Sequence, residues 1–254
     1  MQWREEGVVI GVRPYGDEHL LLSLFTRDRG LRRGLAKFVR KHPLQIGDVV
    51  DATWRAKLPN NLGRFTYEMV SSTFYHYFHD KVKLMCLSSI THVINNALPE
   101  NDPHPILYDS FQDFTSAAEA ELPWYHCYLK LELVVLSQLG FALDLSKCAV
   151  SDARDNLLFI SPKTGRAVSE GVGHAYKDKL LPLPKVLHSL SCGAKVECCS
   201  AGEFALSLKI LGFFLCKNLL QGSCTFEESR KMLAELLGWN SCVFKEYSLL
   251  NGRS

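Results

Sequence analysis

Sequence patterns that mark common classes of enzyme are missing from this chain of 254 residues. It contains no GxxxxGK(S/T) phosphate loop, no GxSxG nucleophile turn and no HExxH zinc motif. It also lacks a CxxC pair, so the adjacent Cys198 and Cys199 have no companions of the kind that redox and metal sites use. A nucleophile without a positioned base does not make a catalytic site. We therefore expect no enzyme, no catalytic residue and no cofactor.

Metal ligands are equally sparse in the sequence. His76 and His79 lie three residues apart and would share one face of a helix. A structural zinc ion takes four ligands, however, and no third ligand is evident beside this pair. Surface or packing roles at the start of a helix are the stronger interpretation, and we expect no metal here.

The sequence has neither a secretory leader nor a long uncharged apolar run. The opening MQWREEG lacks the apolar core of a signal peptide. The most apolar window, 204–220, is shorter than a comfortable membrane span and contains Lys209 and Lys217, so it predicts a buried helix. The nine cysteines are odd in number and scattered. We expect mostly buried thiols in a cytoplasmic protein rather than a disulfide framework.

One segment, 27–41, concentrates the positive charge of a chain whose composition is otherwise ordinary. It carries seven cations and one acid, Asp28, whereas the whole chain has a net charge of only +2. Such a local field attracts polyanions. Charge alone leaves two interpretations open: a nucleic-acid contact, or a hairpin whose solvated face happens to be basic. The seven cations are Arg27, Arg29, Arg32, Arg33, Lys37, Arg40 and Lys41.

The first 78 residues are typical of β-structure. Strands are predicted at 7–13, 19–26, 49–56 and 65–70, with the basic segment between the second and third. Glycine, proline and aspartate mark tight turns between them. About five short strands predict a small closed barrel, SH3-like or OB-like, because an open sheet would expose unpaired edges.

From about residue 79 the apolar spacing changes to the three- and four-residue period of helices. Helices are predicted at 79–97, 106–119, 123–139, 185–190, 201–220 and 226–237. Between the helices predicted at 123–139 and 185–190, residues 147–175 are polar and glycine-rich, which indicates a small insert with a β-ribbon around 157–160. The predicted class is α+β, with a barrel domain at 1–78 and an all-α domain at 79–254 that carries the insert.

Seven short motifs follow one another along the chain. They lie at Trp3–Ile10 (WxxxGVVI), Tyr15–Asp17 (YGD), Thr26–Gly30 (TxxxG), Leu44–Val50 (LQxGDxV), Trp54–Leu58 (WRAKL), Leu139–Cys148 (LGFxLDLxxC) and Ile160–Ser169 (ISPKTGRAVS). No single motif is decisive, but their order and spacing over essentially the whole chain resemble the RecO family of bacterial recombination mediators.

The resemblance implies a fold and a role. The fold would be a five-stranded OB-fold barrel, a helical domain and a zinc-ribbon-like insert. The role would be DNA repair and homologous recombination without catalysis: binding single- and double-stranded DNA and annealing complementary strands. The partners would be RecR, the acidic tail of single-stranded DNA-binding protein and, indirectly, RecA, which such proteins help to load onto coated single strands. It also implies a cytoplasmic, nucleoid-associated location.

The insert departs from the zinc-bearing members of the family. Where they carry two CxxC pairs, this chain has Cys148, Ser151, Ser169 and Val172. Serine and valine cannot replace thiolates on zinc, and His174 alone cannot restore a tetrahedral site. We therefore expect no structural zinc. The insert would instead be held by packing of Leu158, Phe159, Ile160 and Val168.

An OB barrel binds nucleic acid along a basic groove and stacks bases on aromatic rings. The basic segment is expected to form a hairpin along that groove. The predicted phosphate contacts are its seven cations together with Arg55, Lys57 and Arg64. Phe38 and Phe65, and with less support Trp54, are candidate stacking platforms, although strand alternation equally allows these rings to be barrel core.

The acidic, hydrophobic-ended tail of single-stranded DNA-binding protein would need an apolar pocket rimmed by cations. Lys130 and Arg230 match basic positions of the family and are the candidate contacts. The alternative is that both are ordinary exposed charges on helices.

The residues alone are also compatible with two other functions. One is an RNA-directed adaptor, since an OB barrel stacks the bases of either polymer and only contacts to the 2′-hydroxyl discriminate between them. The other is a small thiol enzyme or hydrolase in the helical domain.

Overall fold

A computed structural model describes residues 1–58, 61–72, 77–120, 122–194, 196, 199–220 and 224–238 of the chain. His76 and Cys198, singled out by the sequence analysis, lie outside the described residues. The chain forms two compact units, residues 1–122 and 123–254.

The first unit begins with a closed five-stranded barrel. Its strands are β1 (Gln2–Tyr15), β2 (His19–Thr26), β3 (Gly30–Lys37), β4 (Asp48–Arg55) and β5 (Gly63–Ser72). Around the barrel they follow the order β1-β2-β3-β5-β4, and β3–β5 is the parallel pair. This order is consistent with the OB-like barrel, and the prediction of an α+β fold that opens on such a barrel is confirmed.

The basic segment is not a hairpin, which corrects the sequence prediction. Its first residues form the β2–β3 turn, its centre is the whole of β3, and its end opens the loop 38–47. Gly30 reverses the chain with a φ of 67°, so β3 pairs at once with β2, from Gly30 opposite Thr26 to Lys37 opposite His19. The cations of β3 are therefore divided between the two faces of a barrel strand.

The barrel core contains two of the three aromatic residues that were predicted to stack on bases. Trp54 and Phe65 are 1% and 3% exposed, and Trp3 stacks on Trp54 with ring centroids 5.9 Å apart. A Cβ on Gly63 would lie 2.2 Å from the Trp54 ring, so this position has to be glycine. Stacking of bases on Trp54 or Phe65 is therefore excluded, because the barrel encloses both rings.

In the described part of the first unit, the barrel is followed by the helices α1 (Lys81–Ala97) and α2 (Pro105–Glu119). Asp80 caps α1 by accepting hydrogen bonds from the backbone N–H groups of Val82 and Lys83. On α2, Tyr108 packs against Phe25 of the barrel with ring centroids 5.5 Å apart. These helices thus belong to the same compact unit as the barrel, whereas the sequence analysis grouped them with the later helices.

The second unit is mainly helical. Its principal helices are α3 (Trp124–Gln138), α5 (Lys185–Ser191), α6 (Ala201–Asn218) and α7 (Cys224–Leu236). The predicted apolar helix at 204–220 is α6, half of whose residues are buried. None of the helices in the described part of the chain is long and apolar enough to span a membrane.

The insert forms a small sheet in the second unit. Strands β6 (Leu157–Ile160), β7 (Ala167–Ser169) and β8 (Leu181–Pro182) lie in the order β7-β6-β8. The short helix α4 (Glu170–Gly173) and a 3₁₀ turn (His174–Lys179) connect β7 to β8, so the sheet extends past the predicted end at residue 175. Leu158 was expected to pack inside but is 42% exposed, whereas Leu157 and Ile160 are buried. The β6–β7 register shifts between Leu157 and Phe159, so simple strand alternation does not hold at Leu158.

The cysteines are less buried than predicted. Of the six whose environment is described, Cys86 and Cys148 are buried, Cys192 is exposed and the other three are intermediate. The expectation of mostly buried thiols is therefore wrong for this part of the chain.

Candidate nucleic-acid interface

Two arginines face each other on the outer wall of the barrel. Arg55 of β4 and Arg64 of β5 are directly opposite in the strand register, and both are exposed. Their neighbours Trp54 and Phe65 are also opposite each other and point into the core, so alternation turns the two arginines outward. Like charges directly opposite each other in a sheet are destabilising, and an anion bound between them would remove that cost.

A cavity of about 720 Å³ adjoins this arginine pair. It is lined by Arg55, Lys57 and Arg64 and also by the apolar side chains of Ala56 and Leu62. Three cations beside an apolar floor suit a phosphodiester and the sugar or base attached to it.

The positive surface continues onto the end of β3 and the following loop. Arg64 is in register with Leu35, and Lys37 lies two residues further on the same outer face. Arg40 and Lys41 follow in the loop, and all three cations are exposed. We call the set Lys37, Arg40, Lys41, Arg55, Lys57 and Arg64 the basic wall. Among the described residues, none of these six side chains forms an ion pair.

Phe38 is the aromatic side chain next to the basic wall. It is 36% exposed, and its backbone N–H donates to the carbonyl of Glu18 at 2.8 Å. Of the three stacking platforms predicted from the sequence, Phe38 is therefore the one that a base could reach.

Further along β4 and β5, the charged side chains on the outer face of the barrel change from basic to acidic. Thr53 and Thr66 follow the arginine pair in the register, and Asp51 and Glu68 follow the threonines. Arg4 forms a bidentate hydrogen-bonded pair with Asp51, with contacts of 2.6–3.1 Å. This end carries two acids and one arginine, so the basic end is where a nucleic acid would lie.

Arg32 is not placed to bind phosphate, although the sequence analysis included it among the contacts. It lies on the inward face of β3, with its guanidinium carbon 4.8 Å from the centroid of the Trp54 ring. Desolvation by burial lowers the pKa of this guanidinium. Arg32 therefore packs on the core as a cation–π partner of Trp54.

Arg27 and Arg33 are held by acidic partners of the same unit. The guanidinium of Arg27 donates to Asp109 on α2 at 2.8 and 2.9 Å, and these contacts raise the pKa of Arg27 and lower that of Asp109. Arg33 donates to Glu100 at 2.7 Å and to the carbonyl of Asn95 at 2.6 Å. Both cations help to attach the helices to the barrel and do not belong to the basic wall. Arg29 is exposed in the β2–β3 turn, at the other end of β3 from Lys37.

The two residues predicted to bind the acidic tail lie in very different environments. Lys130 is exposed on α3, whereas Arg230 of α7 is 3% exposed and donates to the fully buried Glu132 of α3. Burial raises the pKa of Glu132 and the nearby guanidinium opposes that shift. Arg230 is therefore part of the core of the second unit, which corrects the prediction of an exposed contact.

The second unit contains a cleft that was not predicted from the sequence. Its volume is about 180 Å³, and its lining includes Phe141, Leu143, Phe214 and Lys163. Phe141 is 41% exposed. The LGF and PKTG motifs both contribute to this lining, which is the sequence signal that could have indicated the cleft.

Comparison with known proteins agrees with the architecture. The family models described as Recombination protein O N terminal and Recombination protein O C terminal match residues 1–73 and 79–222. The DNA repair protein RecO of Anaplasma marginale (strain Florida) is 75% identical over 94% of this chain and 100% of that protein.

Two further relatives extend the comparison. The protein of the same name from Anaplasma phagocytophilum (strain HZ) is 52% identical over 93% of this chain and 98% of its own length. The one from Rhizobium rhizogenes (strain K84) is 33% identical over 87% of this chain and 85% of its own length. Family models match both parts of the chain, and relatives align with it over most of their length. This chain, with its five-stranded barrel and helical region, therefore belongs to the RecO family.

Proposed function

We propose that this protein binds single- and double-stranded DNA through the basic wall and acts as a mediator of repair and recombination. The observation that carries the proposal is the Arg55–Arg64 pair, two exposed like charges directly opposite each other beside a cavity. Such an arrangement costs stability unless an anion neutralises it. Membership of the RecO family supports a role in DNA repair.

Annealing of complementary strands follows from the same surface. Two strands repel each other through their phosphates, and a basic surface that holds both backbones reduces this repulsion. The cations of the wall contact phosphates, so the base edges stay available for pairing. Phe38 would add stacking with one base of a single strand.

The proposal is tested by fluorescence anisotropy with labelled single strands across a salt series. If about three to five cations displace counterions, the log–log salt slope is expected to be about −2 to −3.5. The double variant Arg55→Glu/Arg64→Glu should bind more weakly at low salt and lose roughly 1.4 from the magnitude of that slope. Unchanged affinity and slope in this variant would refute the assignment.

Arg154→Glu provides the matched control, since Arg154 is an exposed arginine of the second unit. It alters the net charge in the same sense as each wall substitution and should leave binding close to that of the native protein. The same titration with RNA distinguishes the RNA-directed alternative, because preferential binding of the RNA strand would indicate contacts to the 2′-hydroxyl.

Partner contacts are the finer part of the proposal. As in the family it belongs to, the protein would act with RecR and help to load RecA onto strands coated by single-stranded DNA-binding protein. Annealing of complementary strands that have been coated beforehand measures this role directly. Failure of the native protein to accelerate that reaction, with DNA binding intact, would restrict its function to DNA binding.

Because Arg230 is buried, two candidate sites remain for binding the acidic tail of single-stranded DNA-binding protein. One is Lys130 on α3. The other is the cleft in the second unit, where Lys163 supplies a cation and Phe141 is an exposed aromatic ring. Binding of a tail peptide to Lys130→Glu and Lys163→Glu separates them, since only the substitution at the true site should abolish binding. Full binding by both variants would exclude both positions.

A further inference from the structure

The insert keeps the chain positions of a zinc site but not its donors. Zinc in structural sites takes four nitrogen or sulfur ligands. Here the four positions supply one thiol, two hydroxyls and one isopropyl group, at Cys148, Ser151, Ser169 and Val172. A hydroxyl is a poor ligand for a borderline-soft cation and valine offers no ligand at all. The residues therefore do not fit zinc.

These polar groups bind one another instead. The backbone N–H of Ser169 donates to the sulfur of Cys148 at 3.3 Å, and the hydroxyl of Ser169 donates to the same sulfur at 3.4 Å. The hydroxyls of Ser151 and Ser169 are 3.4 Å apart. Two separate arms of the insert thus meet at one buried sulfur atom.

The sulfur of Cys148 is surrounded by donors. Burial acts to raise the pKa of this thiol, but hydrogen bonds from the side chains and backbones of Ser151 and Ser169 lower the pKa to about 6 overall. The geometry shows the same arrangement, since the sulfur accepts from one N–H group and one O–H group of Ser169.

Main-chain contacts hold the same two arms together. The N–H of Ala149 donates to the carbonyl of Ala167 at 2.8 Å, and the N–H of Ala167 donates to the carbonyl of Asp144 at 2.9 Å. The turn at Cys148 is closed by its N–H, which donates to the carbonyl of Ala153 at 2.8 Å. The backbone around the vestigial ligand positions is therefore satisfied by the chain itself.

We infer that this insert folds without a metal ion, and that the sulfur of Cys148 joins the two arms as a hydrogen-bond acceptor where relatives would place zinc. Cys148 and Ser151 both lie within hydrogen-bond distance of Ser169, so the ligand positions should still converge. The inference goes beyond the proposed function, because it concerns how the second unit is held together and not what the barrel binds.

The native protein provides the first test. Protein purified without added metal and then dialysed against excess zinc should retain far less than one zinc ion per chain by elemental analysis. Its thermal unfolding midpoint should be unchanged by EDTA, because there is no structural ion to remove. One tightly held zinc per chain, or a midpoint lowered by the chelator, would overturn the inference.

Restoring the ligands provides the second test. The triple variant Ser151→Cys/Ser169→Cys/Val172→Cys should gain one zinc per chain and a chelator-sensitive unfolding midpoint. Cobalt bound in place of zinc should show the thiolate charge-transfer absorption, and adding Cys148→Ala should weaken it. A folded triple variant that binds no metal would show that the positions do not converge.

A single substitution keeps the inference testable if the triple variant does not fold. Ser169→Ala removes one hydroxyl donor from the sulfur and should lower the unfolding midpoint by about 2–4 °C. Ser146→Ala is the control, since Ser146 is an exposed serine whose hydroxyl donates to Asp144 outside the cluster. Equal shifts in the two variants would count against a special role for the donors around Cys148.

Discussion

At the scale of single residues, an arginine can bind a polyanion only if its guanidinium is not already bound by another group of the protein. Ten cations were predicted to contact phosphate, and the structure gathers six of them into the basic wall. Arg32 packs on Trp54, while Arg27 and Arg33 are bound to Asp109 and Glu100. Formal charge along a sequence does not reveal such partners, because they come from distant parts of the chain.

The Arg55–Arg64 pair leads to a prediction in which stability and binding change in opposite directions. Arg64→Gln removes a like-charge contact and should raise the free energy of unfolding by no more than about 1 kcal/mol. The same variant should bind single-stranded DNA more weakly, because one phosphate contact is lost. Urea titration and anisotropy measure the two effects. A destabilised variant with unchanged affinity would contradict both expectations.

Substitution of Arg230, in contrast, is expected to change only the stability of the protein. Arg230→Ala leaves the buried Glu132 carboxylate without its cation and should destabilise the protein by about 3–5 kcal/mol in urea unfolding. Lys130→Ala, at an exposed position of α3, should change stability by less than about 0.5 kcal/mol. If Arg230→Ala were as stable as the native protein, the buried pair would not be an important part of the core.

At the scale of elements, the β2–β3 turn determines where the basic segment lies. Gly30 has a φ of 67°, and a Cβ placed there would lie 2.0 Å from the carbonyl oxygen of Asp102. The turn therefore brings the start of β3 against the connection between α1 and α2. Arg33, three residues later, reaches Glu100 in that connection, whereas Lys37 at the far end of β3 stays exposed.

Substitution of Gly30 tests the importance of this turn. Gly30→Ala combines left-handed strain with a clash against backbone, so it should cost at least about 2 kcal/mol of unfolding free energy. Gly16→Ala is the matched control, with a φ of 64° and nothing within 4 Å of the added Cβ, and should cost about 1 kcal/mol. Equal losses in urea titrations would show that the contact with Asp102 is unimportant.

At the scale of the whole molecule, the compact units do not follow the change from strands to helices. The first unit includes α1 and α2 and ends at residue 122, although the family models change between residues 73 and 79. Within this unit the helices cover Phe25, which is fully buried beside Tyr108. The hydroxyl of Tyr77 also donates to the carbonyl of Thr115 on α2, at 3.0 Å.

This packing predicts how fragments of the chain should behave. A fragment of residues 1–122 should unfold cooperatively and retain most of the single-strand affinity, because it contains the whole basic wall. A fragment of residues 1–78 should be unstable, since exposing Phe25 and Leu31 alone would cost about 3–6 kcal/mol. Circular dichroism, urea unfolding and anisotropy test both fragments. A cooperative, equally stable 1–78 fragment would show that the barrel does not need the helices.

The sequence by itself determined the local elements and the family. The β-type residue patterns predicted four of the five barrel strands, and the change to helical spacing predicted most of the helices within a few residues. The motifs indicated the RecO family. These features are local, because neighbouring residues alone decide which face of a strand or helix is apolar. Alternation had even placed Arg55 and Trp54 on opposite faces of one strand.

Only the tertiary structure decided which of the predicted residues could serve in binding. Arg27 meets Asp109 across 82 positions of the chain, and Arg230 meets Glu132 across 98. Phe65 and Trp54 became core when the barrel closed around them, while Phe38 stayed outside. Such pairings bring together residues far apart along the chain, and the availability of a charge or a ring depends on them. No local pattern of residues encodes that availability.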